Sequence, residues 1–244
     1  MNATVGQLTL RTMLGRRRAL LLVALPAVLI LLAVIVRLTV GTDSRDEVTA
    51  GVLSAFALAT LVPLLGLIAG TGSIGPEIDD GSIVYLLAKP LSRHSIVATK
   101  LAVSVAVVAA FGALPVFVAG LVMAGFSHGL AVGFGLGALV AGIAYCAVFL
   151  LLAVVTRNAV VVGLIYALIW ESLIGSFVPG AQALSIQQWS LALTRIVVGD
   201  RADELSVTAA VRPTLAFILL ALVTVGATAL AGSRLRSLRL TSDE

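Results

Sequence analysis

The chain has 244 residues, 60% of them hydrophobic and only 11% charged, with a formal net charge of +4. Soluble domains carry about 45–50% apolar and about 25% charged residues, so this composition excludes an ordinary water-soluble fold. The apolar residues come in blocks of bilayer length, as a membrane protein requires.

In chain order, the first piece is NATVGQLTLRTMLGRRR. Val5, Leu8 and Thr12 could line one helical face with Arg11 elsewhere, or the piece is a frayed basic tail. Arg16, Arg17 and Arg18 serve as topology anchors. They precede an apolar run over 19–36 that resembles the core of a signal peptide. That run is longer than the usual stretch of about 7–15 residues, and no small-x-small cleavage site follows it, so an uncleaved first span is expected.

Further spans are predicted over 51–70, 101–125, 130–155, 159–178 and 213–232, which makes six. Each is close to the roughly 20 residues that a helix needs to cross the hydrocarbon. Helix is the forced choice, because lipid offers no partner to an unpaired backbone amide. The expected fold is therefore an all-α polytopic membrane protein, a single membrane domain over 1–244. Pro26, Pro63 and Pro115 lie inside spans and are expected to mark bends.

Between the second and third spans lies the most polar long stretch, GTGSIGPEIDDGSIVYLLAKPLSRHSIVATK. Gly70-x-Gly72-x-x-Gly75 has the spelling of a dinucleotide-binding loop. Such a loop needs a strand before it and an acidic residue about 20 positions later. A membrane span precedes it here, and no Asp or Glu occurs between Gly81 and Trp170. No G-x-x-x-x-G-K-[ST] sequence occurs either, so P-loop ATP hydrolysis by this chain is excluded.

The stretch is expected to form an elbow instead. Pro76 suits the first position of a short helix, with Glu77, Asp79 and Asp80 in its first turn. The helix should end before Pro90, and Ser92 would cap a second helix that enters the third span.

Glu171 in LIYALIWESLIGSFVPG is the one clearly intramembrane ionisable residue predicted. Three readings stay open for it: it faces a cleft and touches cargo, it pairs with Arg195, or it lies hydrated near the headgroups. After the fifth span, Ile186, Trp189, Leu193, Ile196 and Val197 form a helical stripe, with Gln187, Gln188, Ser190, Thr194 and Arg195 off it. A helix lying on the outer membrane surface, with Trp189 at headgroup depth, would have this pattern.

With the N-terminus in the cytoplasm, 11 of the 16 basic residues fall inside and 5 (Arg37, Arg45, Arg195, Arg201 and Arg212) fall outside. The positive-inside rule thus places both termini in the cytoplasm. Cations at membrane ends also explain the positive charge without a nucleic-acid partner. Cys146 falls within the fourth span and has no second cysteine to pair with.

The pattern E-x3-G-S-I-x2-L-L-x2-P-L-S-R-x6-K, carried by Glu77, Gly81, Ser82, Ile83, Leu86, Leu87, Pro90, Leu91, Ser92, Arg93 and Lys100, resembles the loop between spans two and three of ABC type-2 exporter permeases. It is most similar to the subgroup that includes the nitrous-oxide-reductase maturation permease. The resemblance implies six spans, a cytoplasmic coupling helix over Glu77–Lys89, and a capping segment between spans five and six. It also implies a separate ATP-hydrolysing subunit, which would bind ATP and Mg and dock on Glu77, Asp79, Asp80, Gly81, Ile83, Leu86, Leu87, Lys89, Pro90 and Arg93. A second copy or a paralogue would complete the route. In that setting Glu171, Trp189 and Arg195 are candidate substrate or gate residues.

Enzymatic readings fare poorly. His94 and His128 are predicted on opposite sides of the membrane, and no metal-ligand spacing appears. The expectation is a transport subunit with no catalytic residue, metal or cofactor of its own, in the plasma or inner membrane. Its cargo pocket would be lined by generic apolar residues, which suits apolar or amphipathic molecules. Two alternatives are an ATPase-coupled transmitter acting on an extracytoplasmic protein and an autonomous secondary transporter. The latter usually shows inverted repeats and several intramembrane charges.

Overall fold

The computed structural model describes residues 16–81, 93–126, 129–174 and 180–237. Helix α1 is Arg16–Thr39. Helix α2 joins three consecutive segments, Arg45–Val52, a wide π-helical Leu53–Leu61, and Val62–Asp79. Helix α3 likewise joins Arg93–Val108, π-helical Ala109–Ala113 and Leu114–Ala124. Helix α4 is Leu130–Val155. Helix α5 is Ala159–Ile165 continued by π-helical Tyr166–Ile174. Helix α6 is Ile186–Val198 and helix α7 is Pro213–Ser237. Every regular element among the described residues is helical.

Five of these helices are long and apolar enough to cross a membrane, and Ala159–Glu171 is a shorter apolar helix at the place of the expected fifth span. Expected spans two and three are longer than their hydropathy blocks. The second begins at Arg45 and continues to Ile78, and the third begins at Arg93. At about 1.5 Å per residue, 34 residues of helix extend well past roughly 30 Å of hydrocarbon.

This corrects the expected helix start at Pro76. The chain does not break at Gly70, because Thr71, Ser73 and Ile74 are buried in the bundle. An unpaired backbone there would cost several kcal/mol. Glu77 and Asp79 therefore lie in the last turn of α2, where the helix dipole disfavours acids, and not in a first turn. Gly81, at φ +69°, follows the helix end.

Two of the three prolines mark their expected irregularity. Pro63 and Pro115 each follow a π-helical stretch, whose wider turn separates the proline ring from the carbonyl four residues back. Pro26 sits within regular α1.

Close packing centres on α4. A Cβ at Gly66 would lie 2.6 Å from the Cβ of Tyr145, and one at Gly70 would lie 2.8 Å from that of Phe149. The Gly66-x-x-x-Gly70 pair thus lets α2 press its backbone onto α4, the small-residue contact that substitutes for hydrophobic drive inside lipid. Gly129, Gly133 and Gly137 do the same for α4 against α6, where Cβ atoms would meet Val197 and Thr194. The exposed apolar side chains concentrate on α1, α5 and α7, among them Leu31, Leu38, Val161, Ile165, Phe217 and Leu222. In a membrane these faces meet lipid or another membrane chain. Gly66→Val is expected to lower the unfolding midpoint in detergent by an overpacking cost of about 1–3 kcal/mol. Gly75→Ala, with nothing within 4 Å of its added Cβ, will not lower it.

Candidate functional site

The elbow end is organised by Lys100, the closing residue of the loop pattern, whose partner the sequence alone did not identify. Lys100 is fully buried on the first half of α3. Its Nζ donates to the Glu77 carboxylate at 2.7 Å and to the Ser73 carbonyl at 2.6 Å, both on α2. One turn deeper, the Ser104 hydroxyl donates to the Ala69 carbonyl at 3.1 Å. A buried ammonium is tolerable only with a counter-charge and further acceptors, and α2 supplies both. The two limbs of the elbow are thereby tied to each other.

A third helix joins them. The Arg93 guanidinium donates to the Leu235 carbonyl at 2.7 Å, near the C-terminal end of α7. This bond ties the start of α3 to α7. A Cβ at Gly232 would overlap the His94 ring, so α3 and α7 also touch closely at this point. Arg93, expected at the docking surface, thus binds α7 internally. Asp80 and Gly81 are exposed. Ile83, Leu86, Leu87, Lys89, Pro90 and the capping Ser92 lie outside the described residues, as do the N-terminal piece containing Val5, Leu8 and Thr12, and His128.

The far end is organised by Glu171. This residue is fully buried in the π-helical part of α5. Its Oε1 accepts from the Tyr166 hydroxyl at 2.8 Å and the Ile186 amide at 3.2 Å. Its Oε2 accepts from the Ser185 hydroxyl at 2.6 Å and the Gln187 amide at 3.3 Å. Ser185 is the N-cap of α6 and accepts in turn from the Gln188 amide. Glu171 therefore sits on the N-terminus of α6, where free amides and the helix dipole favour a carboxylate. The fully buried Tyr145 hydroxyl is its neighbour but completes no hydrogen bond of good geometry.

Two expectations are corrected here. Glu171 does not pair with Arg195, whose guanidinium instead holds Asp203 at 2.7 Å. Helix α6 is also not a surface helix with a lipid-facing stripe. Ile186 and Trp189 are buried, but so are Gln187, Gln188, Ser190 and Thr194. Of the expected stripe, only Ile196 and Val197 near the end of α6 are exposed. Each buried polar group has its own partner: Gln187 donates to the Ser54 carbonyl, Gln188 accepts from the Ala210 amide, and Thr194 donates to the Gly133 carbonyl. Trp189 donates its Nε1–H to the Ala183 carbonyl at 2.8 Å. The contact with Ser54 falls on the π-helical part of α2, so one helix carries the elbow at one end and holds α6 near the other. No group of His, Cys, Asp and Glu fit to hold a metal occurs among the described residues.

Residues 10–188 match the family described as ABC-2 family transporter protein. The chain belongs to that family. The match runs over well more than half of the chain and includes the Glu77–Lys100 pair, Glu171 and the start of α6. No curated protein matches the sequence. The ABC-2 assignment makes this chain a permease subunit of an ABC transporter, a multi-pass membrane component. Members of the family work with an ABC ATPase and dimerise. In this ABC-2 permease the two polar nodes stand at opposite ends of α2.

Proposed function

We propose that this permease is half of the membrane body of an exporter, a single membrane domain with both termini in the cytoplasm and located in the plasma or inner membrane. A separate ABC ATPase binds ATP with Mg and docks on the elbow around Glu77, Asp79, Asp80 and Arg93. A second copy or a paralogue completes the route, and the cargo is apolar or amphipathic. The resemblance of the elbow pattern to the nitrous-oxide-reductase maturation permeases favours a relative of that subgroup.

The observation that carries this reading is the tie at the elbow, Lys100 to Glu77 and Ser73, with Arg93 on Leu235. Through it a push on the elbow reaches α2, α3 and α7 together, and packed elements move as units. Helix α2 carries the displacement toward Ser54 and hence toward α6, which Glu171 anchors. In this scheme α6 is the gate element. Glu171 and Trp189 hold its first turns, and Arg195 orders the turn that follows it.

Affinity purification in mild detergent to recover an ABC ATPase bound to the chain, then reconstitution of the complex into vesicles, tests the proposal. The expected result is ATP-dependent accumulation of an apolar or amphipathic probe, reduced by Lys100→Met, at a buried residue outside the docking surface, while the ATPase remains bound. Transport by the chain alone would overturn it. ATP-dependent conformational change without accumulation would instead favour a transmitter.

A further inference from the structure

At the end of the bundle opposite the elbow, a cavity of about 560 Å³ opens between the last turns of α6 and the segment leading into α7. Asp200 and Arg212 line it from opposite sides of that junction, and Arg195 contributes a third charged wall. Arg195 is committed to Asp203. Asp200 and Arg212 are exposed, no ion pair joins them, and neither side chain bonds another protein group among the described residues. Two opposite charges thus share one cavity without neutralising each other.

The walls are built, not loose. The Val207 amide donates to the Ala202 carbonyl at 2.8 Å, the Ala210 amide to the buried Gln188 side chain at 3.2 Å, and the Ala216 amide to the Arg212 carbonyl at 3.0 Å. These bonds fix the backbone that carries Arg212 relative to α6. The surroundings are membrane boundary: α7 enters its apolar stretch at Pro213. Ile196, which lines the cavity, exposes 63% of its surface, and Phe217 on the first turns of α7 exposes 64%, so apolar side chains flank the charged groups in sequence.

We propose that this cavity binds the headgroup of a zwitterionic phospholipid. Arg212 takes the phosphate, because a guanidinium recognises phosphate through paired, charge-assisted hydrogen bonds. Asp200 takes the ammonium group, and the acyl chains lie along Ile196 and Phe217. A purely anionic headgroup satisfies Arg212 but faces Asp200, so the cavity selects phosphatidylethanolamine over phosphatidylglycerol. The assignment does not depend on the direction of transport, and Asp200 and Arg212 lie beyond the stretch that matches the family.

The test is native mass spectrometry of the full chain in detergent, titrated separately with phosphatidylethanolamine, phosphatidylglycerol and water-soluble phosphoethanolamine. The wild-type chain is expected to retain phosphatidylethanolamine preferentially. Arg212→Gln and Asp200→Asn will each weaken that retention about ten-fold, the loss expected for one charge-assisted hydrogen bond. Arg212→Lys and Asp200→Glu, which keep the charges, will retain it. Equal phosphatidylethanolamine retention by wild type and both neutral variants would overturn the site. Equal retention of the two lipids would overturn its selectivity, and equally tight binding of free phosphoethanolamine would overturn the lipid as its ligand.

Discussion

Replacing Glu77 with glutamine will destabilise the permease by about 3–5 kcal/mol, the usual cost of leaving one member of a buried ion pair alone. Lys100 is fully buried, so losing its counter-charge strands an ammonium inside the bundle with only neutral acceptors, the Ser73 carbonyl and the introduced amide oxygen. Lys100→Met will cost less. The Glu77 side chain keeps 23% exposure and can turn to water once its partner is gone. The double replacement with two methionines will recover much of the loss, because well-packed apolar pairs often equal or exceed buried ion pairs in stability. Thermal unfolding in detergent measures all three. Their non-additivity is the signature of a direct pair, since residues in contact couple by roughly 0.5–3 kcal/mol. If the double variant is as damaged as the sum of the singles, the tie between α2 and α3 does not act as a unit.

Glu171→Ala will have the second large effect, and it will appear at the far end. Four donors converge on this carboxylate, from Tyr166, Ser185, Ile186 and Gln187. Each donor left buried and unsatisfied costs about 1–3 kcal/mol, so the first turn of α6 will detach from α5. Glu171→Gln keeps one acceptor oxygen and will do less harm. Hydrogen exchange across 185–190 is the readout, with protection expected to fall in Glu171→Ala and to persist over 93–108. Unchanged protection at 185–190 would mean that the anchor is redundant. Export measured on the same variants separates anchoring from gating, because a pure anchor loses transport only as α6 loosens.

The membrane blocks were legible because hydropathy reports directly on the solvent that each helix faces, and α1, α4 and α7 begin or end close to their blocks. The elbow was legible as a polar interruption, and its placement between two spans holds. Its helix start was not. Pro76 followed by acids has the form of a first turn, but burial of Thr71, Ser73 and Ile74 forces the helix of the span to continue through it. A clue lay in Lys100, a lone cation within IVATKLAV, which needs an acid from another element because its own helix offers none. Periodicity found the stripe on α6 but could not show what covers its other face. That face meets the Gly129, Gly133 and Gly137 edge of α4 and backbone groups from α2, contacts between residues far apart in sequence.

Single-cysteine labelling at the elbow tests the central claim most directly. The native Cys146 is buried, so Asp80→Cys places the only accessible thiol at the tip of α2. A membrane-impermeant maleimide is expected to label it in inside-out vesicles, to leave it unlabelled in intact cells, and to be blocked when the ATPase is bound. Labelling in intact cells, or labelling that ignores a bound ATPase, would contradict a permease driven through this elbow by a separate nucleotide-hydrolysing subunit.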